Sequence, residues 1–170
     1  MSKKTTSSTI PVGDWTYVFL NRPETSHIDY IRFKTPDKAE TGIIGMDGQA
    51  IGSKEGPIDT LVFGGGTNIR LFYIADDDTV SEAKLPNANL DDTDPKKAWA
   101  TTGDDLTFES SISDATRTVD STTFLAASVN GGKPVVVYKP KPSKKTPDFI
   151  QYCAWTGSKW TTERLDFPKT

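Results

Sequence analysis

The sequence predicts an all-β fold of short antiparallel strands, set out as about three propeller-like units. Short β-branched and aromatic runs recur along the chain, separated by glycine, proline and aspartate clusters of the kind that end strands. No segment ahead of residue 58 has the period of a helix of ordinary length, and 113–121 reads as loop. Composition agrees: 170 residues, 35% hydrophobic but 10% aromatic with four Trp, suit one domain with a thin, aromatic-weighted core.

The chain opens MSKKTTSST, and residues 1–11 read as a disordered N-terminal arm ahead of a single all-β domain over 12–170. Strands are expected at 15–20 (WTYVFL) and 28–34 (IDYIRFK), joined by the hairpin loop NRPETSH, and then at 41–46 (TGIIGM). The most regular stretch is 60–85, TLVFGGGTNIRLFYIADDDTVSEAKL. It holds strands at 60–64, 68–74 and 80–85, broken by a glycine turn and an aspartate turn. After a polar loop come 98–102 and the alternating run 106–112. Four last strands, 123–129, 134–138, 149–155 and 160–165, are joined by NGG, KPKPSKKTPD and TGSK.

The central and final units can be laid on each other. Leu61 and Val62 match Phe124 and Leu125, Phe72 and Tyr73 match Val137 and Tyr138, Val80 matches Ile150, and Trp99 matches Trp160. A looser N-terminal unit completes three four-stranded repeats, the pattern of propeller blades. A β-sandwich or small barrel is the alternative closure.

Several functions have no support in the residues. A net charge of −3 with both signs interspersed argues against a nucleic-acid or anionic-membrane surface. The lysines of 139–145 alternate with prolines, as in a solvated extended loop. Cys153 is the single cysteine, so neither a disulfide framework nor a cysteine zinc site can form, and its apolar neighbours suit a buried thiol. Asp76, Asp77 and Asp78 lack the spacing of a calcium loop, and Gly64–Gly66 lacks the Lys-Ser/Thr of a phosphate loop. His27 is the single histidine and lies on no nucleophile motif, and a two-carboxylate hydrolase, which needs no local motif, stays open without positive support; no enzyme, metal or cofactor is expected. With no membrane-length apolar run and no secretory leader, the expected location is the cytoplasm, or outside the cell without a signal peptide.

Arg70 and Glu82 are the two charges standing inside strand-like segments of the central stretch, twelve residues apart across one hairpin. A guanidinium offers fixed donors and a carboxylate acceptors, so such a pair can grip vicinal hydroxyls while an aromatic face covers the C–H side of a sugar ring. The same pair also fits a cross-strand ion pair on a solvated sheet face. Trp155 and Trp160 equally fit core packing, as Trp15 and Trp99 do.

The run IRLFY followed by VSE resembles the blade motif of the fungal fucose-specific lectins, six-bladed β-propellers that hold the sugar between neighbouring blades. The resemblance puts Arg70 and Glu82 on that family's sugar-binding arginine and glutamate, and Trp155 and Trp160, in WTGSKW, near its stacking aromatics. It implies a non-enzymatic lectin for a fucose-like glycan, with Arg70→Ala abolishing binding and sparing the fold. Departures matter: Val135 and Tyr152 stand at the pair's positions in the final unit, and Thr16 and Tyr30 in the first. A lectin-derived structural or protein-interaction module without sugar binding is therefore the alternative. Three blades would leave an apolar sheet face bare at each end, and a two-fold homodimer closing three plus three would bury both.

Overall fold

The computed structural model describes residues 5–22, 24–46, 49–50, 56–63, 68–75, 79–85, 124–140 and 149–166. Strands β1 (Thr6–Val12), β2 (Trp15–Arg22), β3 (His27–Phe33) and β4 (Glu40–Ile43) form a first sheet in chain order. β5 (Gly45–Met46) and β6 (Gln49–Ala50) form a two-stranded ribbon. β7 (Asp59–Phe63), β8 (Asn68–Ile74) and β9 (Val80–Leu85) make a middle sheet. β10 (Leu125–Asn130), β11 (Lys133–Tyr138), β12 (Phe149–Trp155) and β13 (Trp160–Asp166) make the last. Neighbouring strands pair antiparallel throughout, and one 3-10 turn at Pro36–Lys38 is the sole helical element among the described residues.

These are meanders, and local chemistry says why. Between β10 and β11 the two turn residues, Gly131 and Gly132, have φ of 57° and 75°, the left-handed pair that a tight hairpin needs and that side chains resist. Along β2, Trp15, Tyr17, Phe19 and Asn21 are buried while Thr16, Val18 and Leu20 between them are half-buried, so one face meets a neighbouring sheet.

The three sheets stand side by side as in a propeller, with β7 between β1 and β10. One face of the middle sheet, through Ile69, Leu71, Tyr73 and Ala83, packs on Tyr17, Phe19, Ile28 and Tyr30 of the first. Its other face packs on the last sheet. Asp59 ties all three together. Its carboxylate accepts the Ala127 backbone N–H at 2.7 Å and the Ser8 hydroxyl at 3.3 Å.

Two expectations change. The arm expected over residues 1–11 is, from Thr6, the strand β1, paired residue by residue with β2. Its polar side chains bond instead of packing: Thr6 Oγ1 donates to the Gly56 carbonyl at 2.6 Å, and the Ser8 and Thr60 hydroxyls share a bond at 2.6 Å. The run 41–46 is split, with β4 in the first sheet and β5 in the ribbon. The strands expected at 98–102 and 106–112, with Trp99, Gly64–Gly66 and Asp76–Asp78, lie outside the described residues.

Candidate functional site

Register decides which side chains share a face of the middle sheet. Leu61, Arg70 and Lys84 form one cross-strand row, and Asp59, Phe72 and Glu82 the next. Residues two apart along a strand point the same way, so both rows lie on one face. That face turns to the last sheet: Leu61, Phe72, Ile74 and Val80 pack with Leu125, Val136, Tyr138, Cys153 and Trp160.

Arg70 and Glu82 touch, with Arg70 Nη1 donating to Glu82 Oε1. The pair does not lie on a solvated face, for the two side chains are 14% and 3% exposed. A carboxylate at that depth needs a charged partner to stay ionised. On the same ground, Arg70→Ala is expected to cost stability as well as any binding. Truncating one member of a buried pair strands the other, at a cost of about 3–5 kcal/mol.

Trp155 and Trp160 face each other at the end of the β12–β13 hairpin, ring centroids 5.7 Å apart at 60°. The Thr156 side chain holds the turn, its Oγ1 accepting the Lys159 N–H at 3.2 Å. Trp160 is 5% exposed, whereas Trp155 is half-buried at the rim of the same cluster. Phe72, in a row with Glu82, meets Trp160 edge-on. All four expected residues therefore belong to one seam, the pair on the middle sheet and the tryptophans on the last.

Phe72 and Lys84 are the members that sequence reasoning missed. Their signal was the two-residue period counted outward from Arg70 and Glu82. A correction also falls in the first sheet. The row Ile10, Tyr17, Arg32 and Glu40 puts Tyr17, not Thr16, on the face that meets the next sheet, with Phe19 and Tyr30 one row on.

That neighbouring seam has its own polar group. Arg32 Nε donates to Glu40 at 2.7 Å, its Nη1 to the Tyr17 hydroxyl at 3.5 Å, and its guanidinium lies 4.2 Å from the centre of the Trp15 ring. Burial alone would weaken the proton's hold on Arg32, but the bonds to Tyr17 and Glu40 outweigh it and raise the pKa. Burial likewise raises Tyr17, against the pull of Arg32. On the outward face of the last sheet, Val135 lines up with Ser128 and Ala154, and Tyr152 with Val137 and Glu163, so no arginine–glutamate pair stands in those rows.

No nucleophile machinery gathers elsewhere among the described residues. Cys153 is buried and its thiol is pushed up to about 12, chiefly by burial. His27 lies 3.2 Å from Asp29, which also pairs with Arg22. No group of three or more His, Cys, Asp or Glu comes together among the described residues.

By sequence, no family model and no curated protein matches the chain. By structure, AofleA of Arthrobotrys oligospora superposes with a TM-score of 0.60 at 18% identity, covering 95% of this chain and 41% of that one. A fucose lectin from Kordia zhangzhouensis, solved with methyl-fucoside, gives 0.53 at 12% identity, covering 92% and 96%. The fucose-specific lectin of Aleuria aurantia gives 0.55 at 15%, covering 94% and 47%. This chain has the fold of the fucose-specific lectins. It spans nearly the whole Kordia lectin but less than half of the Arthrobotrys and Aleuria chains. Within this lectin fold, the Arg70–Glu82 pair and the two tryptophans flank a seam between consecutive sheets.

Proposed function

We propose that this protein is a non-enzymatic carbohydrate-binding protein that takes a fucose-like sugar at the seam between its middle and last sheets. The observation that carries the reading is the convergence there of a buried Arg70–Glu82 pair with Trp155 and Trp160. Donors and acceptors side by side suit vicinal hydroxyls, and the rim indole of Trp155 offers an apolar face to the ring carbons. The test is calorimetric titration with methyl α-fucoside. One site per chain is expected, with affinity falling at least about tenfold in Glu82→Gln, which keeps the shape and removes the charge. A folded parent that gives no heat with fucosides defeats the reading.

It would then favour a protein-interaction module of lectin ancestry. The specific support for that second reading is the loss of the pair in the last sheet, where Val135 and Tyr152 stand at its positions.

In either reading we infer a homodimer. The outward face of the first sheet carries half-buried Val18, Leu20, Ile31 and Phe33, with Ile43 43% exposed. That of the last carries half-buried Val137, Ile150 and Tyr152, with Leu165 45% exposed. Two half rings facing each other would cover both. The coverage of 41% and 47% of longer lectin chains fits half a ring. Light scattering should give twice 18.6 kDa; a concentration-independent monomer would rule closure out.

A further inference from the structure

The polar side of the seam does not end at the tryptophan hairpin. Alternate residues of β13 share a face, so Thr162, Arg164 and Asp166 follow Trp160 along the side of the last sheet that meets the middle one. Their cross-strand partners on β12 are Cys153, Gln151 and Phe149. Taking both walls together, the described strands bring three cations to the seam, Arg70, Lys84 and Arg164, and three carboxylates, Asp59, Glu82 and Asp166. The signs balance. Many donors and acceptors without an excess of either charge suit a neutral, polyhydroxylated ligand better than an ion.

Two of the side chains on β13 keep bonding capacity. Arg164 donates from Nε to Asp166, and its guanidinium lies 4.5 Å from the centre of the Phe149 ring. Those contacts hold the guanidinium plane, and neither terminal nitrogen is engaged among the described residues. Gln151 fixes the strand beside it, donating from Nε2 to the Glu163 carbonyl at 2.9 Å. Half-buried Thr162 lies between Trp160 and Arg164, and its hydroxyl makes no hydrogen bond among the described residues. Donors held in place before a ligand arrives cost less to order, and a hydroxyl can both donate and accept. At about 3.3 Å per residue, Arg164 lies about 13 Å along β13 from Trp160, farther than one sugar ring reaches.

We propose that the seam reads a neutral oligosaccharide. The fucose-like unit sits against Trp155, and the sugars attached to it run along β13, where Thr162 and Arg164 hydrogen-bond their hydroxyls. This rests on the fucoside reading above, and the two can fail separately. The experiment titrates methyl α-fucoside, 2′-fucosyllactose and 3-fucosyllactose into the parent, Thr162→Val and Arg164→Met, with thermal melts to check folding. Both substitutions keep most of the side-chain bulk and remove its hydrogen bonding.

In the parent at least one trisaccharide should bind about five- to tenfold more tightly than methyl α-fucoside, the gain expected of one or two added hydrogen bonds. That advantage should fall to about twofold or less in Arg164→Met and shrink in Thr162→Val, while affinity for methyl α-fucoside stays within about twofold in both. A parent that binds methyl α-fucoside but neither trisaccharide more tightly overturns this inference alone, as does an advantage that both variants keep. A parent that binds none of the three glycosides removes the fucoside reading and this one with it.

Discussion

Phe72 meets Trp160 edge-on across the seam between two sheets, ring centroids 6.0 Å apart and planes at 87°. Edge-to-face contact sets the positive rim of one ring against the negative face of the other, worth about 0.5–1.5 kcal/mol beyond the area buried. The same contact fixes where Glu82, in Phe72's row, lies relative to the tryptophan hairpin.

The two tryptophans should therefore separate in their effects. Trp160 is almost wholly buried, and Trp160→Ala should cost about 3–5 kcal/mol of stability, read by urea unfolding. Trp155 stands half-buried at the rim, so Trp155→Ala should cost clearly less while weakening fucoside binding in calorimetry. Equal stability losses with unchanged binding in Trp155→Ala would return both residues to plain core packing.

Arg70 and Glu82 should be non-additive. Either single truncation to an apolar residue strands a buried charge and should cost about 3–5 kcal/mol. The double change Arg70→Met with Glu82→Leu removes both charges, and should cost less than the two singles combined, and less than the worse of them if packing is kept. Additive losses in urea unfolding would mean that the two groups do not depend on each other.

How much of this was legible in the sequence follows from what each residue does. Strands β8, β9 and β12 were readable to the residue, because Asn68–Ile74 and Phe149–Trp155 are dense in β-branched or aromatic side chains, and Val80–Leu85 is set off by the aspartate turn before it and the proline after it. Strand β1 was not. TSSTIPV has two large apolar side chains, and Thr6 and Ser8 are held by hydrogen bonds to Gly56 and Thr60, which lie some fifty residues away and leave no local pattern. At the site, the twelve-residue spacing of Arg70 and Glu82 pointed to contact, but not to depth. Their burial comes from the last sheet packing over Phe72 and Ile74, a tertiary fact. Tyr17 was misplaced by one residue for a related reason: a shift of one along a strand changes the face, and the turn that sets the count is Gly13 with φ of 57°.

Cys153 should make stability fall with alkaline pH. Burial lifts its thiol from 9.0 to about 12, while the Tyr138 hydrogen bond pulls the other way. Between those values the unfolded chain gives up a proton that the folded chain keeps, so unfolding gains on folding as pH rises. This group alone contributes a slope of up to about 1.4 kcal/mol per pH unit. Tyr17, raised by burial, adds the same sign above 10.0. Urea unfolding of the parent should weaken across that window, and Cys153→Ala should weaken less steeply. Identical slopes would mean that the thiol ionises in the folded chain.

Ile43 and Leu165 lie on the outermost strands of the two end sheets, 43% and 45% exposed, each on the face turned away from the middle sheet. In each case the partner on the neighbouring strand shares that outward face: Ile43 stands opposite Asp29 of β3, and Leu165 opposite Ile150 of β12. A large aliphatic at a solvated edge gains nothing alone, whereas covering it is worth about 1.5–3 kcal/mol. If a second copy covers both, each is buried twice in the closed ring. Leu165→Glu, placed well away from Arg70 and Glu82, should therefore shift the mass from dimer to monomer in light scattering while leaving fucoside affinity per chain nearly unchanged. The same variant as a stable dimer would show that the ring, if it closes, does not close through this edge.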